Sequence, residues 1–544
     1  MRLWRKNGDR VLMVGIFHGP EVGPAVLKNI CRGGFRRVAV IRPSARGRAR
    51  VEQDFFLALR AATAGSLIGL AAGLFAFWRE AMLEQPRSGE LILLSIAFAL
   101  AGAVAGWIVT RMLRQRVDGT SLTRCTSTIL PEEAMVLAEV KADETSRLLT
   151  ILRNIGAAAP VTFAFRSPRP FPVETSARAP DQERPSSQRV AENAGRLAHS
   201  MSVSRQTRPR GPSFLSRLRE TEHALEWANG SLTMSAEVHH AFTLSAEWLL
   251  DNAYLIREQV TDLRRSLPEK YYGELPLIAS GPEAGLPRVY HLASEMVAES
   301  AGALDPNIIQ TFLVAFQAVT PLDIGELWAL PLMLRLQLLE SLRGLALQVE
   351  QQQSQSEEAD FWANRLIGAG RRSSSRLLRM MEALVERYLE PTAHFASELV
   401  AHLYDEETVL PMVSGWLERH FRAPLVEIIQ QEHRRQAGQQ TALADAIGSC
   451  RRLAHVQWRE LFQATSWAEN ELAADPAGIY SQQDFETRDR CRSAVEEIAR
   501  WSKCSEQTII DRALALAKAA TDEVAETVAY NLLDAGRPAH EQAS

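Results

Sequence analysis

The sequence predicts a mainly α protein: a large multi-helix bundle preceded by a small split α+β domain into which a two-helix transmembrane hairpin is inserted. Three observations predict it. Helical spacing of apolar residues runs almost unbroken from Ser213 onward. Two strand-helix-strand patterns lie within the first 166 residues. Between those patterns stand two long uncharged apolar runs.

The first pattern begins with "VLMVGIF" (Val11–Phe17), a strand-length apolar run. "PEVGPAVLKNICRGGF" follows with helical spacing at Val22, Val26, Leu27 and Ile30, stopped by Gly33-Gly34. "RRVAVI" (Arg36–Ile41) supplies the second strand. The second pattern repeats this order: "AMVLAEVKA" (Ala134–Ala142), the helix "DETSRLLTILRNIG" (Asp143–Gly156) and "PVTFAFR" (Pro160–Arg166). Two β-α-β halves predict a ferredoxin-like sandwich built from residues 1–50 and 117–166. "GIFHGPEVG" is no phosphate loop, because the lysine and hydroxyl that would follow are missing.

Residues 51–116 hold the expected hairpin, with spans Ala61–Trp78 and Leu91–Thr110. Gly65, Gly69 and Gly73, and likewise Gly102 and Gly106, recur at every fourth position, which lets helix backbones approach closely in lipid. Arginines crowd the outer flanks (Arg42, Arg46, Arg48, Arg50, Arg60; Arg111, Arg114, Arg116), placing both termini in the cytoplasm. No secretory signal is expected at the start. Residues 167–212 hold seven prolines, eight arginines and four acids, and predict a disordered basic linker.

Residues 213–544 predict an all-helical domain. One helix should stop at Asn229-Gly230. A second should run over Ser245–Leu267 with Trp248, Leu249, Ala253, Leu255, Ile256, Val260 and Leu263 on one stripe. Asp305-Pro306 opens another. Gly325–Gln353 is apolar nearly all round and reads as a central buried helix, with Glu326, Arg335, Glu340 and Arg343 pairing as half-buried charges. His394, Glu398 and His402 share one helical face, a spacing that could hold a metal; a solvated face is the plainer reading, and no metal or other cofactor is expected.

The net charge of −4 gives no reason to expect nucleic acid. The five cysteines, Cys31, Cys125, Cys450, Cys491 and Cys504, form no CxxC pair. Nine charged residues lie between Asp475 and Glu497, and "DPAGIYSQQDFETRDRCR" (Asp475–Arg492) opens that stretch with an Asp-Pro-Ala-Gly turn and one tyrosine. Ser481 is the expected cap of the helix that follows, with Asp484–Arg488 and Glu486–Arg490 paired along it.

"AEWLLDN" (Ala246–Asn252), "LPEKYYGELPLI" (Leu267–Ile278), "GLPRVY" (Gly285–Tyr290), "PLDIGELWALPLMLRLQLLESLR" (Pro321–Arg343), the Asp475–Arg492 stretch and "TVAYNLLDAGRP" (Thr527–Pro538) occur in this order. In that order the chain resembles the N-terminal region of cyclic β-1,2-glucan synthases over about 213–538. Gln483 and Cys491 stand where the family pattern has methionine and tyrosine. Residues 11–166 resemble small bacterial ferredoxin-like domains split by a glycine-zipper hairpin.

The resemblance implies a bacterial inner-membrane protein with its helical domain in the cytoplasm. It implies a non-catalytic region that supports a UDP-glucose-dependent glucosyltransferase module, itself downstream or on a separate chain. Besides that module, the partners it implies are the lipid bilayer and the nascent β-1,2-glucan. Tyr271, Tyr272, Arg288, Tyr290, Asp475, Tyr480, Asp484, Arg488 and Asp489 are the candidate contact residues. The rival readings are a membrane adaptor without a sugar role and a glucan-binding helical module. Exposure of Tyr271, Tyr272 and Trp328 separates these two.

Overall fold

The computed structural model describes residues 10–18, 24–35, 38–43, 49–53, 133–141, 144–164, 171, 186–204, 213–238, 242–266, 275–520, 522 and 524–537. Helix dominates these residues, with two small sheets beside it. The expected spans Ala61–Trp78 and Leu91–Thr110 lie outside the described residues, as do Tyr271 and Tyr272. Among the described residues no helix is long and apolar enough to cross a membrane.

The chain forms two compact units. The first gathers residues 1–172, 230–243 and 350–432; the second gathers 173–229, 244–349 and 433–544.

In the first unit a five-stranded sheet is built from β1 (Arg10–His18), β2 (Val38–Pro43), β3 (Ala49–Gln53), β4 (Glu133–Lys141) and β5 (Ala158–Ala164). Its order is β3-β2-β4-β1-β5. Every neighbouring pair is antiparallel, with Val14 opposite Leu137 and Val40 opposite Val136. Helices α1 (Pro24–Arg32) and α2 (Thr145–Asn154) follow β1 and β4. α1 ends where Gly34 takes a positive φ of 95° and the Phe35 amide donates to the Ile30 carbonyl, closure that only glycine allows without strain.

Side chains alternate across a strand, and here both faces are buried. Met13, Phe17, Val38, Val40, Val136 and Ala138 face Val26 and Ile30 of α1 and Leu148 and Leu152 of α2. Val14, Ile16, Ala39, Ile41, Met135 and Leu137 join a different core, shared with Trp362, Leu366, Met380 and Phe395. Two-sided burial is why these strands read as continuous apolar runs. It also corrects the expected domain division. The sheet is not a separate small domain ending at residue 166, because residues from 350–432 complete its core.

Those residues belong to α9 (Ile324–Gly370), α10 (Ser374–Arg387), α11 (Ala393–His402) and α12 (Leu410–Phe421). A buried ion pair reinforces the contact: Arg365 Nη2 on α9 lies 2.6 Å from Glu133 Oε2 at the start of β4, and Arg376 Nη2 lies 3.3 Å from the other oxygen.

The second unit opens with a correction. Ser187–Ser200, inside the stretch expected to be disordered, is a helix, α3. Ser186 caps it, and Val190, Ala194 and Ala198 form a buried stripe. α3 lies against α8 (Pro306–Gln317). The stripe is made largely of alanines, a weak apolar signal beside so many arginines, and the surrounding prolines hid it. Val203 then pairs with Ile278 in a short antiparallel bridge.

α4 (Phe214–Val238) runs through Gly230 instead of stopping there. A mid-helix glycine costs about 1 kcal/mol. Here Ser231 and Ser235 donate to Glu350 and Glu357, and Leu232 is buried one position on, which offsets it. The expected Ser245–Leu267 helix is two, α5 (Leu244–Asp251) and α6 (Ala253–Ser266), meeting at Asn252, whose amide turns back to the Trp248 carbonyl at 2.8 Å. α7 (Arg288–Glu299) precedes α8, which Asp305 caps by accepting from the Ile308 amide. Helix α9 has 47 residues, far beyond the expected end at Gln353, and carries Pro331 inside it. α13 (Leu425–Ala454), α14 (Trp458–Thr465), α15 (Trp467–Leu472), α16 (Phe485–Ser502), α17 (Glu506–Ala519) and α18 (Val528–Leu533) complete the chain.

Candidate functional site

The Asp475–Arg492 stretch folds around a carboxylate that lies just ahead of it. Glu469 sits on α15, 6% exposed. Its Oε1 accepts from Arg488 Nη1 at 2.6 Å, and its Oε2 accepts from the Tyr480 hydroxyl at 3.0 Å and from Arg492 Nη1. Arg492 also donates to Asp489 at 3.0 Å and rests 5.0 Å from the centroid of the Phe485 ring. Arginine suits this place because its fork can hold two carboxylates at once. Burial, and then the Glu469 charge, pushes the Tyr480 hydroxyl well above its usual range, so it stays a neutral donor. Burial likewise pushes the Cys491 thiol up to about 11, which keeps it protonated and inert at neutral pH.

Asp475 is buried and ties the turn together. Its Oδ2 accepts from the amides of Ile479 and Tyr480, both at 3.1 Å, and its Oδ1 from the Val528 amide at the start of α18, at 2.9 Å. Gly478 supplies the positive φ of 64° that the turn requires. The helix cap is Asp484, not Ser481: it accepts from the Thr487 amide at 2.7 Å. Arg488 turns inward to Glu469 and does not run along the helix to Asp484.

The other candidates are also drawn inward. Arg288, 2% exposed, holds Glu326 with Nε to Oε1 at 2.9 Å and a second contact from Nη2, and it donates to the Pro321 carbonyl at 3.1 Å. Tyr290 donates to Glu340 at 2.6 Å, receives Arg217 Nη1 at 3.0 Å and lies under that guanidinium. Thus Glu326 pairs with Arg288, Glu340 with Tyr290 and Arg343 with Glu220, each on another helix. Beside Glu326, Glu506 accepts from the Ile324 amide at 2.8 Å. Burial, with Asp323 next to it, pushes the Glu506 carboxyl up to about 8.

The histidine face does not hold together as a ligand set. His394 is buried in hydrogen-bonding contact with Glu432, Ser356 and the Gln352 carbonyl, all at 3.0 Å. His402 is half-exposed beside Asp360. Among the described residues no group of three or more His, Cys, Asp or Glu is placed to hold a metal.

A small cleft opens beside this network, about 10 Å³ in volume, room for about one water molecule. Ile324, Leu327, Trp328, Phe462, Gln463, Ser466, Phe485 and Arg492 line it. Trp328 is 37% exposed and meets Phe462 edge-on at 5.1 Å between centroids. Asp475, Tyr480, Arg488 and Asp489 therefore converge on one helix junction, Asp484 caps the exposed start of α16, and Arg288 and Tyr290 belong to other pairs. Glu469 at the centre of the junction was missed. Its only sequence signal is the Ser466-Trp-Ala-Glu469 spacing of a capping box. Ser466 does cap α15, but the Glu469 side chain points to the arginines.

No family model matches the chain. It is similar to a bacterial glucan synthase. The relative is cyclic beta-(1,2)-glucan synthase NdvB of Rhizobium meliloti (strain 1021), 29% identical over 312 residues, which are 56% of this chain. Those residues are only 11% of the synthase, so the similarity bears on a small part of that protein.

Proposed function

We propose that this chain is a membrane-anchored, non-catalytic region that serves cyclic β-1,2-glucan synthesis by supporting or positioning a UDP-glucose-dependent glucosyltransferase module. Its sequence relationship to NdvB supports the glucan role. The observation that carries the supporting role is the Glu469 junction. The residues of the charged stretch that look most like chemistry, Asp475, Tyr480, Arg488 and Arg492, are consumed in fastening α15, α16 and α18 to one another. A carboxylate held by two guanidiniums and a phenol makes a rigid platform and is a poor general base. Anchoring rests on the uncharged runs at 61–78 and 91–110, and the β5-β1-β4-β2 order with two β-α-β units fits a ferredoxin-like domain around them.

The test has two arms. Cells lacking the chain should lose periplasmic β-1,2-glucan, and the chain should co-purify with the glucosyltransferase module; unchanged glucan without the chain rejects the role. Release of labelled UDP from UDP-glucose by the purified chain alone would reject the non-catalytic part. For the anchor, a cysteine placed in the turn at 79–90 should react with an impermeant thiol reagent added to intact spheroplasts, and a silent position there counts against the hairpin.

A further inference from the structure

A buried side chain, Glu506, joins the first turn of α17 to the first turn of α9. It opens α17 and is 5% exposed, although Ser505 and Gln507 on either side of it face solvent. Its Oε2 accepts from the Ile324 amide, at the start of α9, at 2.8 Å. The amide one residue earlier, that of Asp323, is taken by Glu326 Oε2 at 3.0 Å. Two carboxylates therefore occupy the donors of consecutive residues, whose Cα atoms are about 3.8 Å apart. Glu326 is fully buried there.

The charges around Glu506 do not balance. Arg288 turns both Nε and Nη2 to Glu326, and its Nη2 also meets the Pro321 carbonyl. Asp323 at the start of α9 and Glu496 on α16, itself paired with Arg500 at 3.0 Å, add negative charge around Glu506. With Arg288 committed to Glu326, a second anion beside it stands uncompensated in a dry place. The charge is better placed on Glu326, under the guanidinium, and the proton on Glu506. A helix start ordinarily favours an anion. Here burial, and then the neighbouring carboxylates, outweigh that and push the Glu506 carboxyl up to about 8.

We propose that Glu506 is a proton-operated latch: protonated, it fastens the first turn of α17 to the first turn of α9, and release of the proton lets the two turns part. The way out is short, because a small rotation of that turn of α17 brings the side chain to the solvent that Ser505 and Gln507 already meet. Once there, the carboxyl ionises at its ordinary value of 4.5. Opening thus releases one proton. The closed form is favoured at low pH, and the open population rises about tenfold per pH unit between 4.5 and about 8, levelling off on both sides. Ile324 shares a core with Ile509 and Ile510 of α17, so parting of the turns loosens the hold of α9 on the C-terminal helices without unfolding them. The latch needs no ligand and does not depend on the role in glucan synthesis.

Hydrogen exchange of the full-length chain, followed by mass spectrometry across this pH range and corrected for the chemical exchange rate, reads the open population. Protection in peptides covering 322–328 and 504–511 should fall about tenfold per pH unit and level off near pH 8. At every pH these peptides should be less protected than the buried middle of α13. Equal protection would mean that only global unfolding frees Glu506, and overturns the latch. Glu506→Gln keeps the shape and cannot ionise, so its peptides should show no such fall. Asp323→Asn removes the largest neighbouring negative charge, and its protection should level off at a lower pH than that of the wild type. Circular dichroism melts accompany both variants. A fall that persists unchanged in Glu506→Gln assigns the proton to another group and overturns the proposal. So does an unmoved level-off in Asp323→Asn, the variant that decides if Glu506→Gln fails to fold.

Discussion

Replacing Glu469 with Gln leaves two guanidiniums facing a neutral amide in a site where Arg492 and Glu469 side chains are each 7% exposed. Breaking a buried pair by removing one partner costs about 3–5 kcal/mol, because the remaining charge stays desolvated. Chemical denaturation of Glu469→Gln should show a loss of that order. Tyr480→Phe, which removes one hydrogen bond and keeps the packing, should lose only about 1 kcal/mol. If the two variants cost the same, the network does not hold the junction.

Glu506 gives a different residue-scale signal. Its folded-state carboxyl titrates near 8, against an ordinary value of 4.5. The folded protein therefore favours the protonated form. The stability this contributes is fully present below about pH 4.5 and is lost as pH rises toward 8, by an amount on the order of a few kcal/mol. The groups facing it are Asp323, Glu326 and Glu496, with Arg288 already engaged by Glu326. Glu506→Gln keeps the shape and cannot ionise. Its stability between pH 5 and 8 should fall less steeply than that of the wild type. Parallel pH profiles of the two would show that the carboxyl is not buried uncharged.

Helix ends were the most legible elements, because caps obey local rules. Asp305-Pro306 opens α8, and Gly34 closes α1, from residue type alone. Asp484 shows how close such reading comes and where it slips. Ser481 and Asp484 are both good caps, and only the turn held by Asp475 decides which one faces the first free amides. The Asp484 carboxyl is held below its usual 3.8 chiefly by its hydrogen bond to Thr487. Its cap is therefore present above that value and is lost as pH falls through the lowered folded-state value. Asp484→Ala should lower Tm at pH 7 and make little difference in strong acid; an equal deficit at both would show that capping is not its contribution. Interior choices were less legible. Gly230 reads as a stop and Asn252 as helix interior, yet tertiary hydrogen bonds from Ser231 and Ser235 carry α4 through the first, while the chain breaks at the second. The same non-locality hid the site: Glu469 lies 23 residues from Arg492 in sequence, and no periodicity connects them.

At the scale of the whole molecule, the sequence divides the chain at the arginine-rich stretch ending near residue 212, and the packing does not. One face of the β-sheet is covered by Trp362, Leu366, Met380 and Phe395, each at most 1% exposed. These come from helices far beyond that stretch. A fragment of residues 213–544 would keep the helices and lose their sheet. It would expose this apolar surface and strand Arg365 without Glu133, a pair in which both side chains are at most 5% exposed. Uncovered apolar area of this kind associates nonspecifically. The fragment should therefore aggregate or bind the dye ANS, and should melt well below the full chain, whereas co-expression with residues 1–212 should restore a soluble, dye-free complex. Glu133→Gln in the full chain should lower Tm in the same direction without exposing the surface. A monomeric 213–544 fragment that melts cooperatively at the temperature of the full chain would show that the helices form a complete domain and that the sheet only rests on it.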